Sequence, residues 1–569
     1  MNFLLTAAAL LAMTNPTYSP DSTKIAFTDA EHNLCVMSLP DSSVVRLTSD
    51  GGELVLNGYA SWVYYEEIFG RPSKYRAFWW SPDSRRIAFY RFDNSCVPMF
   101  PIYSPFGGQD GTLSRTRYPK AGEPNPGVRV MIADTGEGSV LEVPFPEGDR
   151  YFGTPFWHSS SASLYVPREP RVQNELDIFR VDAATGAFEA VYHESYPTWV
   201  DWPESMLFSD KGLYMVRAFE TGWEQIYFLS YDGKRFRRLT DGRNWRTQLL
   251  ARDPRSGDIW FTSYRDSQPY AGLYVLDRKG RVRRVSKEGM HVRGADFSGG
   301  FAAPKMDTVR TFVRSELIHI DIDGLTVPGQ VVYPDGFDPS KTYPAVIEIY
   351  GGPNTAYVRG AERRESGPDR WMRENGVIKY VVDSRVAGHN GRAGTDLSHL
   401  DVVSVPVGDF CRWAEYIGSL PYVDAERIGV EGFSFGGTMT AMLVMTRPDL
   451  FRCGVAGGGV YDWMLYDTHY TERFMSTPEL NPEGYARARV LDYVGQYDPS
   501  RSRLKLTHGT SDDNVHFQNT LLLVDALQKA GKQFDLMIYP GGMHGYRGEQ
   551  RSHDEAADIL FWKENLIEK

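Results

Sequence analysis

The sequence predicts a multidomain chain of all-β and α/β parts, a repeated-strand first half followed by a doubly wound second half. Three observations predict it. A loose repeat runs through the first 300 residues, tight Asp/Gly turns recur within it, and after Phe301 short apolar strands alternate with stretches of helical length. In the first half, Ser19-Pro20-Asp21 precedes the strand-like Lys24-Ile25-Ala26-Phe27, and Ser81-Pro82-Asp83 precedes Arg86-Ile87-Ala88-Phe89-Tyr90. Weaker echoes are Trp157-His158-Ser159 before Leu164-Tyr165-Val166 and Phe208-Ser209-Asp210 before Leu213 to Val216. Turns at Asp134-Thr135-Gly136, Asp182 to Gly186, Asp232-Gly233 and Asp277 to Gly280 close the units. Their spacing of roughly 45–50 residues is the period of a four-stranded propeller blade, and about five blades are visible. In the second half the strand candidates are Ala345 to Tyr350, Ile378 to Asp383, Ile428 to Gly432, Val455 to Gly459, Leu504 to Thr507 and Leu536 to Tyr539. Helix-length stretches such as Val407 to Leu420 and Gln518 to Ala530 separate them, which indicates a parallel sheet covered on both faces. The division expected is residues 15–310 for the propeller and 311–569 for the α/β part.

A chain of 569 residues exceeds one ordinary core. Its 42% apolar and 24% charged residues are those of a folded protein. A net charge of −11 argues against nucleic acid as the main partner, since phosphate backbones demand clustered Lys and Arg. Cys35, Cys96, Cys411 and Cys453 lack metal-like spacing and read as buried or semi-buried thiols. Phe3 to Met13 is apolar enough for a leader core but too short to span a bilayer, so residues 1–14 read as a leader or a truncated start. A leader would place the protein in the periplasm or outside the cell; without one it would be cytoplasmic. No other stretch reads as a membrane helix.

The chemistry concentrates in the second half. Gly432-Phe433-Ser434-Phe435-Gly436-Gly437 follows a strand and opens a helix, the setting of a nucleophile elbow. Small neighbours let the chain turn sharply, and the helix N-terminus behind the serine favours developing negative charge. A serine hydroxyl needs a base, and the base an orienting acid. Later strand ends run into His508-Gly509-Thr510-Ser511-Asp512-Asp513-Asn514 and into Pro540-Gly541-Gly542-Met543-His544-Gly545. Ser434, Asp512, His544 is the serine–acid–histidine order of α/β-hydrolases. Spacing alone leaves Asp513 as a rival acid, and His508, His516 and His553 lie nearby; the glycine-flanked loop favours His544.

The elbow, the run His508 to Phe517, and Tyr466-Asp467-Thr468-His469-Tyr470-Thr471-Glu472-Arg473 together resemble the dipeptidyl peptidase IV branch of the prolyl oligopeptidase family. Trp62-Val63-Tyr64-Tyr65-Glu66-Glu67-Ile68-Phe69 resembles that branch's amino-terminus-binding segment. The resemblance runs from about residue 15 to the C-terminus. It implies an eight-bladed propeller joined to an α/β-hydrolase domain, with the active site in the cavity between them. It implies that Ser434 attacks, His544 shuttles the proton and Asp512 orients the imidazole. Tyr350 and the backbone amide of Phe435 would hold the oxyanion. Val460, Trp463, Tyr466, Tyr470 and Val515 would line a proline pocket, and Asn514 would hold the carbonyl of the substrate's first residue. Glu66 and Glu67 would anchor a free ammonium, which an acylated amine could not replace. Neighbours on a regular strand point to opposite faces, so the two can converge only where the backbone leaves strand geometry.

The activity implied is release of X-Pro or X-Ala dipeptides from free peptide N-termini, without metal or organic cofactor, by a homodimer. Two other readings are a prolyl tripeptidyl or oligopeptidase, and a non-catalytic propeller–hydrolase scaffold. Departures from the family pattern are Phe435 for tyrosine, Phe433 for tryptophan, Ser384-Arg385-Val386 for Gly-Arg-Gly, the shortage of blades, and no counterpart of the upstream arginine that contacts the substrate carbonyl.

Overall fold

The computed structural model describes residues 13–71, 73–309, 315–360 and 365–568. Residues 1–12, on which the leader expectation mostly rests, and the expected boundary at 310/311 lie outside them.

Five sheets of four or five antiparallel strands occupy 14–46, 55–142, 150–195, 207–238 and 248–284, and a two-stranded sheet at 291–309 follows. This is the propeller, with five full blades among the described residues where the resemblance implies eight. The Ser-Pro-Asp repeats show why the blades look alike. Ser19 Oγ donates to Asp21 (2.7 Å) and accepts from the Lys24 amide, while Ser81 Oγ does the same with Asp83 (2.6 Å) and Arg86. The same turns stitch neighbours together. The Asp21 amide donates to Ser84 Oγ of the next blade, and the Asp83 amide to Ser161 Oγ of the one after. Trp80 and Trp157 make the equivalent bond one level in, each indole donating to a carbonyl of the preceding blade. Asp/Gly turns close the outer hairpins with Gly186 at φ +72° and Gly233 at φ +71°, a region L side chains avoid.

Between blades two and three, Tyr64, Tyr90, Phe92 and Tyr151 are fully buried in one aromatic core. Burial of such rings is worth roughly 1.5–3 kcal/mol each. From blade two a hairpin, Met99–Ser104 with Thr112–Arg117, projects over the second half. Cys96, at the root of that hairpin, is exposed, contrary to the expectation of a buried or semi-buried thiol; it lies in a loop, its Sγ 3.1 Å from the Asn125 carbonyl. The other three cysteines are buried.

The second half is one eight-stranded sheet. In chain order its strands are Glu316–Ile322, Leu325–Val332, Tyr343–Glu348, Ile378–Val382, Val423–Phe433, Cys453–Gly457, Arg503–Gly509 and Asp535–Tyr539; in space the third and fourth exchange places. Leu325–Val332 pairs antiparallel with both Glu316–Ile322 and Ile378–Val382, and the remaining pairs are parallel. This is the α/β-hydrolase sheet. Its central strands are buried along their whole length, as continuous apolar runs demand. Val423–Phe433 is longer than the expected Ile428 to Gly432, and Phe435–Thr446 behind it is buried on every side.

Between the halves, Arg171 forms a fork on the buried Glu472 (2.6 and 2.7 Å), and Gln173 bonds the carbonyl of His469 and accepts from Arg473. The Thr468 amide donates to the Pro119 carbonyl, and the Ala121 amide to that of Tyr466. The helix Thr468–Met475 is thereby fastened to the propeller at several points.

Candidate active site

Ser434 stands between strand Val423–Phe433 and helix Phe435–Thr446 with φ +61° and ψ −122°, a strained conformation for a non-glycine residue. The flanking glycines permit the turn. A Cβ on Gly432 would lie 2.5 Å from the backbone of Gly436, and one on Gly436 would lie 2.5 Å from the carbonyl oxygen of Ile349. The N–H of Phe435 belongs to the first turn of the helix and has no acceptor within it. Tyr350, two residues beyond its strand, lies close enough to Ser434 for that hydroxyl to offset part of the burial that raises its phenol. Burial pushes the Tyr350 phenol up to about 12, so it stays a donor at neutral pH.

Asp512 and His544 come from the loops after the last two strands. His544 Nδ1 lies 2.7 Å from Asp512 Oδ2. The other carboxylate oxygen accepts the amides of Asn514 (3.0 Å) and Val515 (2.9 Å). Burial would raise the Asp512 carboxyl, but His544 and His508 outweigh it and hold the group well below its usual range. Asp513 is different: burial and the adjacent Asp512 raise it, and Arg71 offsets only part of that. Of the two acids the spacing left open, Asp512 is the one on His544. His508 is spent on Thr520 and the Val515 carbonyl, and His516 lies under Phe100 in a parallel stack at 3.6 Å. His516 falls just before its helix, which starts at Gln518.

Glu66 and Glu67 lie in a five-residue wide helical turn, Tyr64–Ile68. This departure from strand geometry leaves the Glu66 carboxylate near enough to help push up that of Glu67. Glu66 pairs with Arg71 through one oxygen and accepts from Asn514 Nδ2 (2.8 Å) through the other. Burial pushes the Glu66 carboxyl up, and Arg71 pulls it partly back. Glu67 has no hydrogen bond or ion pair among the described residues; burial, then Asp467 and Glu66, push its carboxyl well above the usual range. It borders a cavity of about 460 Å³ lined also by Phe69, Trp202, Arg217, Arg392 and Arg473.

The apolar pocket residues converge as well. Trp463 is parallel to Tyr470 at 6.3 Å, Tyr466 stands across both, and Phe435 closes against Trp463 at 5.2 Å. Val460 and Val515 are buried beside them. Tyr466 donates to Asn514 Oδ1 (2.8 Å), so Asn514 is held from three directions, with Tyr118 bonding its backbone carbonyl. The reading from sequence alone gave no part to Tyr118, Arg71 or Asp467. Only Arg71, five residues past Glu66, left a local signal; Tyr118 meets its partner across 396 positions. Arg385 forms ion pairs with Asp409 and Asp323, so Ser384-Arg385-Val386 makes a tied-down turn. Phe433 packs against His544 at 5.1 Å.

Glu348, Asp369 and Glu431 bring carboxylate oxygens within 4.8 Å of one another, a grouping able to hold a cation. Lys379 already fills that role: its Nζ lies 3.4 Å from Glu348 and from Asp369 and bonds Glu431.

Comparisons with known proteins identify the family. The profile of the dipeptidyl peptidase IV N-terminal region matches residues 10–307, and that of the prolyl oligopeptidase family matches residues 369–569. The chain belongs to the dipeptidyl peptidase IV branch of the prolyl oligopeptidase family. It is 30% identical to Porphyromonas gingivalis dipeptidyl peptidase 4, whose crystal structure superposes with a TM-score of 0.88 over 97% of this chain and 82% of that one. Two fungal relatives carry the name "Probable dipeptidyl-aminopeptidase B". That of Uncinocarpus reesii is 28% identical over 95% of this chain, and that of Talaromyces marneffei 30% over 93%. The chain spans 66% and 65% of their lengths. No helix among the described residues is long and apolar enough to cross a membrane.

Proposed function

We propose that the protein is a serine exopeptidase that releases X-Pro or X-Ala dipeptides from free peptide N-termini. The observation that carries this reading is the 2.8 Å bond from Asn514 to Glu66. It ties an acidic pair on the propeller to the loop that bears the acid of the triad. A substrate ammonium between Glu66 and Glu67 would exchange its three donors and its charge for two carboxylates. The second residue would then lie against Trp463, Tyr466 and Tyr470, where a flat slot fits a pyrrolidine ring and excludes larger side chains sterically. Its carbonyl would meet Ser434.

Ser434 Oγ attacks that carbonyl carbon while His544 Nε2 takes the hydroxyl proton, and Asp512 stabilises the imidazolium through Nδ1–H. The Phe435 amide and the Tyr350 hydroxyl receive the oxyanion. His544 then gives its proton to the leaving amine, and water, activated by the same imidazole, releases the dipeptide from Ser434. Phe435 in place of tyrosine leaves the amide donor intact.

A homodimer is part of the same proposal. The tip of the hairpin from blade two exposes Tyr103, Phe106 and Leu113, with exposed Met543 of the histidine loop in the same region. Phe106 packs against Gly541 of that loop, and the edge strand Asp535–Tyr539 turns Leu536 and Ile538 outward. An apolar rim on an open sheet edge is what a second copy would cover.

Hydrolysis of Gly-Pro-anilide, its N-acetylated form and Ala-Ala-Pro-anilide tests the activity. Turnover of the free Gly-Pro compound alone, lost in Ser434→Ala, is expected. Preference for the tripeptide would replace this reading with a tripeptidyl peptidase, and no turnover with no fluorophosphonate labelling would make the chain a scaffold.

A further inference from the structure

On blades four and five a cleft of about 710 Å³ carries seven cationic side chains and two carboxylates, in a chain whose net charge is −11. Its position separates it from the peptidase site. Successive turns of an antiparallel blade alternate between the two faces of a propeller. The turns that reach the hydrolase half are those between second and third strands and those between blades. Gly222 accepts from the Arg392 amide, Arg246 bonds the Asn354 carbonyl, and Pro269 accepts from the Gly360 amide. The cleft is built from the other set: Ser209 to Lys211, Arg235, Gly257, and Asp277 to Gly280. It therefore opens on the face turned away from the triad.

The cations there are largely uncommitted. Lys211, Arg235, Arg237, Arg252 and Lys279 form no ion pair among the described residues, and the Nε of Arg252 is buried without any partner. Arg278 lies over Gly257, where a Cβ would come within 2.5 Å of its Nε, and among the described residues bonds only the Arg255 carbonyl. Of the two carboxylates, Asp277 is already paired with Arg281. Like charges converging on a concave surface repel one another, and a surface that needed only solubility would disperse them. Tyr214 and Phe228, half-buried and 5.4 Å apart, form part of the wall.

We propose that this cleft binds a small molecule bearing a di- or triphosphate. Its volume suits a ligand of nucleotide size. Guanidinium forks match phosphate oxygens in pairs, and several convergent forks suit a compact multivalent oxyanion better than a single carboxylate. An acidic peptide would call for an extended groove.

The test is calorimetric titration of the full chain at physiological salt with inorganic triphosphate and with ATP, beside hexaglutamate. The expected result is saturable binding of either phosphate probe, weakened at least tenfold in Arg235→Ser/Arg237→Ser and in Arg252→Ser. Gly-Pro-anilide turnover should be unchanged in these variants, which also shows that they fold. Absence of saturable binding at millimolar probe overturns the proposal. So does binding that the substitutions leave intact, and so does hexaglutamate binding in preference to both phosphates.

Discussion

Replacing Glu67 by Gln removes one negative charge from the proposed ammonium site and changes little else. The magnitude follows from how the two acids are committed. Glu66 is already engaged by Arg71 and Asn514, whereas Glu67 has no hydrogen bond or ion pair among the described residues. A substrate ammonium would therefore be Glu67's main counter-charge. Loss of one such charge-assisted bond costs about 1.5–3 kcal/mol, or roughly 10- to 150-fold in kcat/KM for Gly-Pro-anilide. Folding should not suffer, because the substitution relieves repulsion among Glu67, Glu66 and Asp467. Fluorophosphonate labelling of Ser434 should proceed at the wild-type rate. Glu66→Gln should lose less, since a glutamine can still accept from Asn514. The pH dependence has a definite sign. Burial and acidic neighbours raise the Glu67 carboxyl, so it takes up a proton as pH falls through that raised value, and KM should rise there. Activity within twofold of wild type in Glu67→Gln would refute the two-residue measurement from the free amine.

Three further outcomes follow from the same geometry. Asp512→Asn should reduce kcat by about 10⁴ and leave KM nearly unchanged, because the 2.7 Å contact to Nδ1 would stabilise the wrong tautomer; steady-state kinetics decide it. Tyr350→Phe removes one of the two proposed oxyanion donors and should cost about 2.7–4 kcal/mol, a hundred- to thousandfold in kcat, with labelling of Ser434 slowed alongside. Arg217→Met should destabilise the propeller by about 3–5 kcal/mol, read from urea unfolding, because Glu194, 4% exposed and bound by both guanidinium arms, would be left buried with the Tyr192 hydroxyl but without a counter-charge.

The parts legible in the sequence are those with local causes. The Ser-Pro-Asp turns announce blades because each serine bonds within five residues of itself. The elbow announces itself through glycines that only a sharp turn requires. The meeting of Glu66 with Asn514 has no such signature: 448 positions separate them, and their contact depends on how two domains dock. The choice between Asp512 and Asp513 was open for a related reason. Adjacent residues in a loop can each face either way, and the direction is set by the Asn514 and Val515 amides folding back onto one carboxylate. The wide helical turn at Tyr64–Ile68 was foreseen only as an exception to strand geometry; its kind depends on the aromatic core beneath Tyr64.

The seam of Arg171, Gln173, Glu472 and Arg473 has a bearing on fidelity. The carboxylates that would grip a peptide's first nitrogen ride on one body, and the hydroxyl that would cut it rides on the other. Slippage of a few ångströms between the bodies would therefore change which bond is presented for cleavage, even with every catalytic group in place. Sloppy cutting positions, rather than slow turnover, would be the first symptom of damage along that joint.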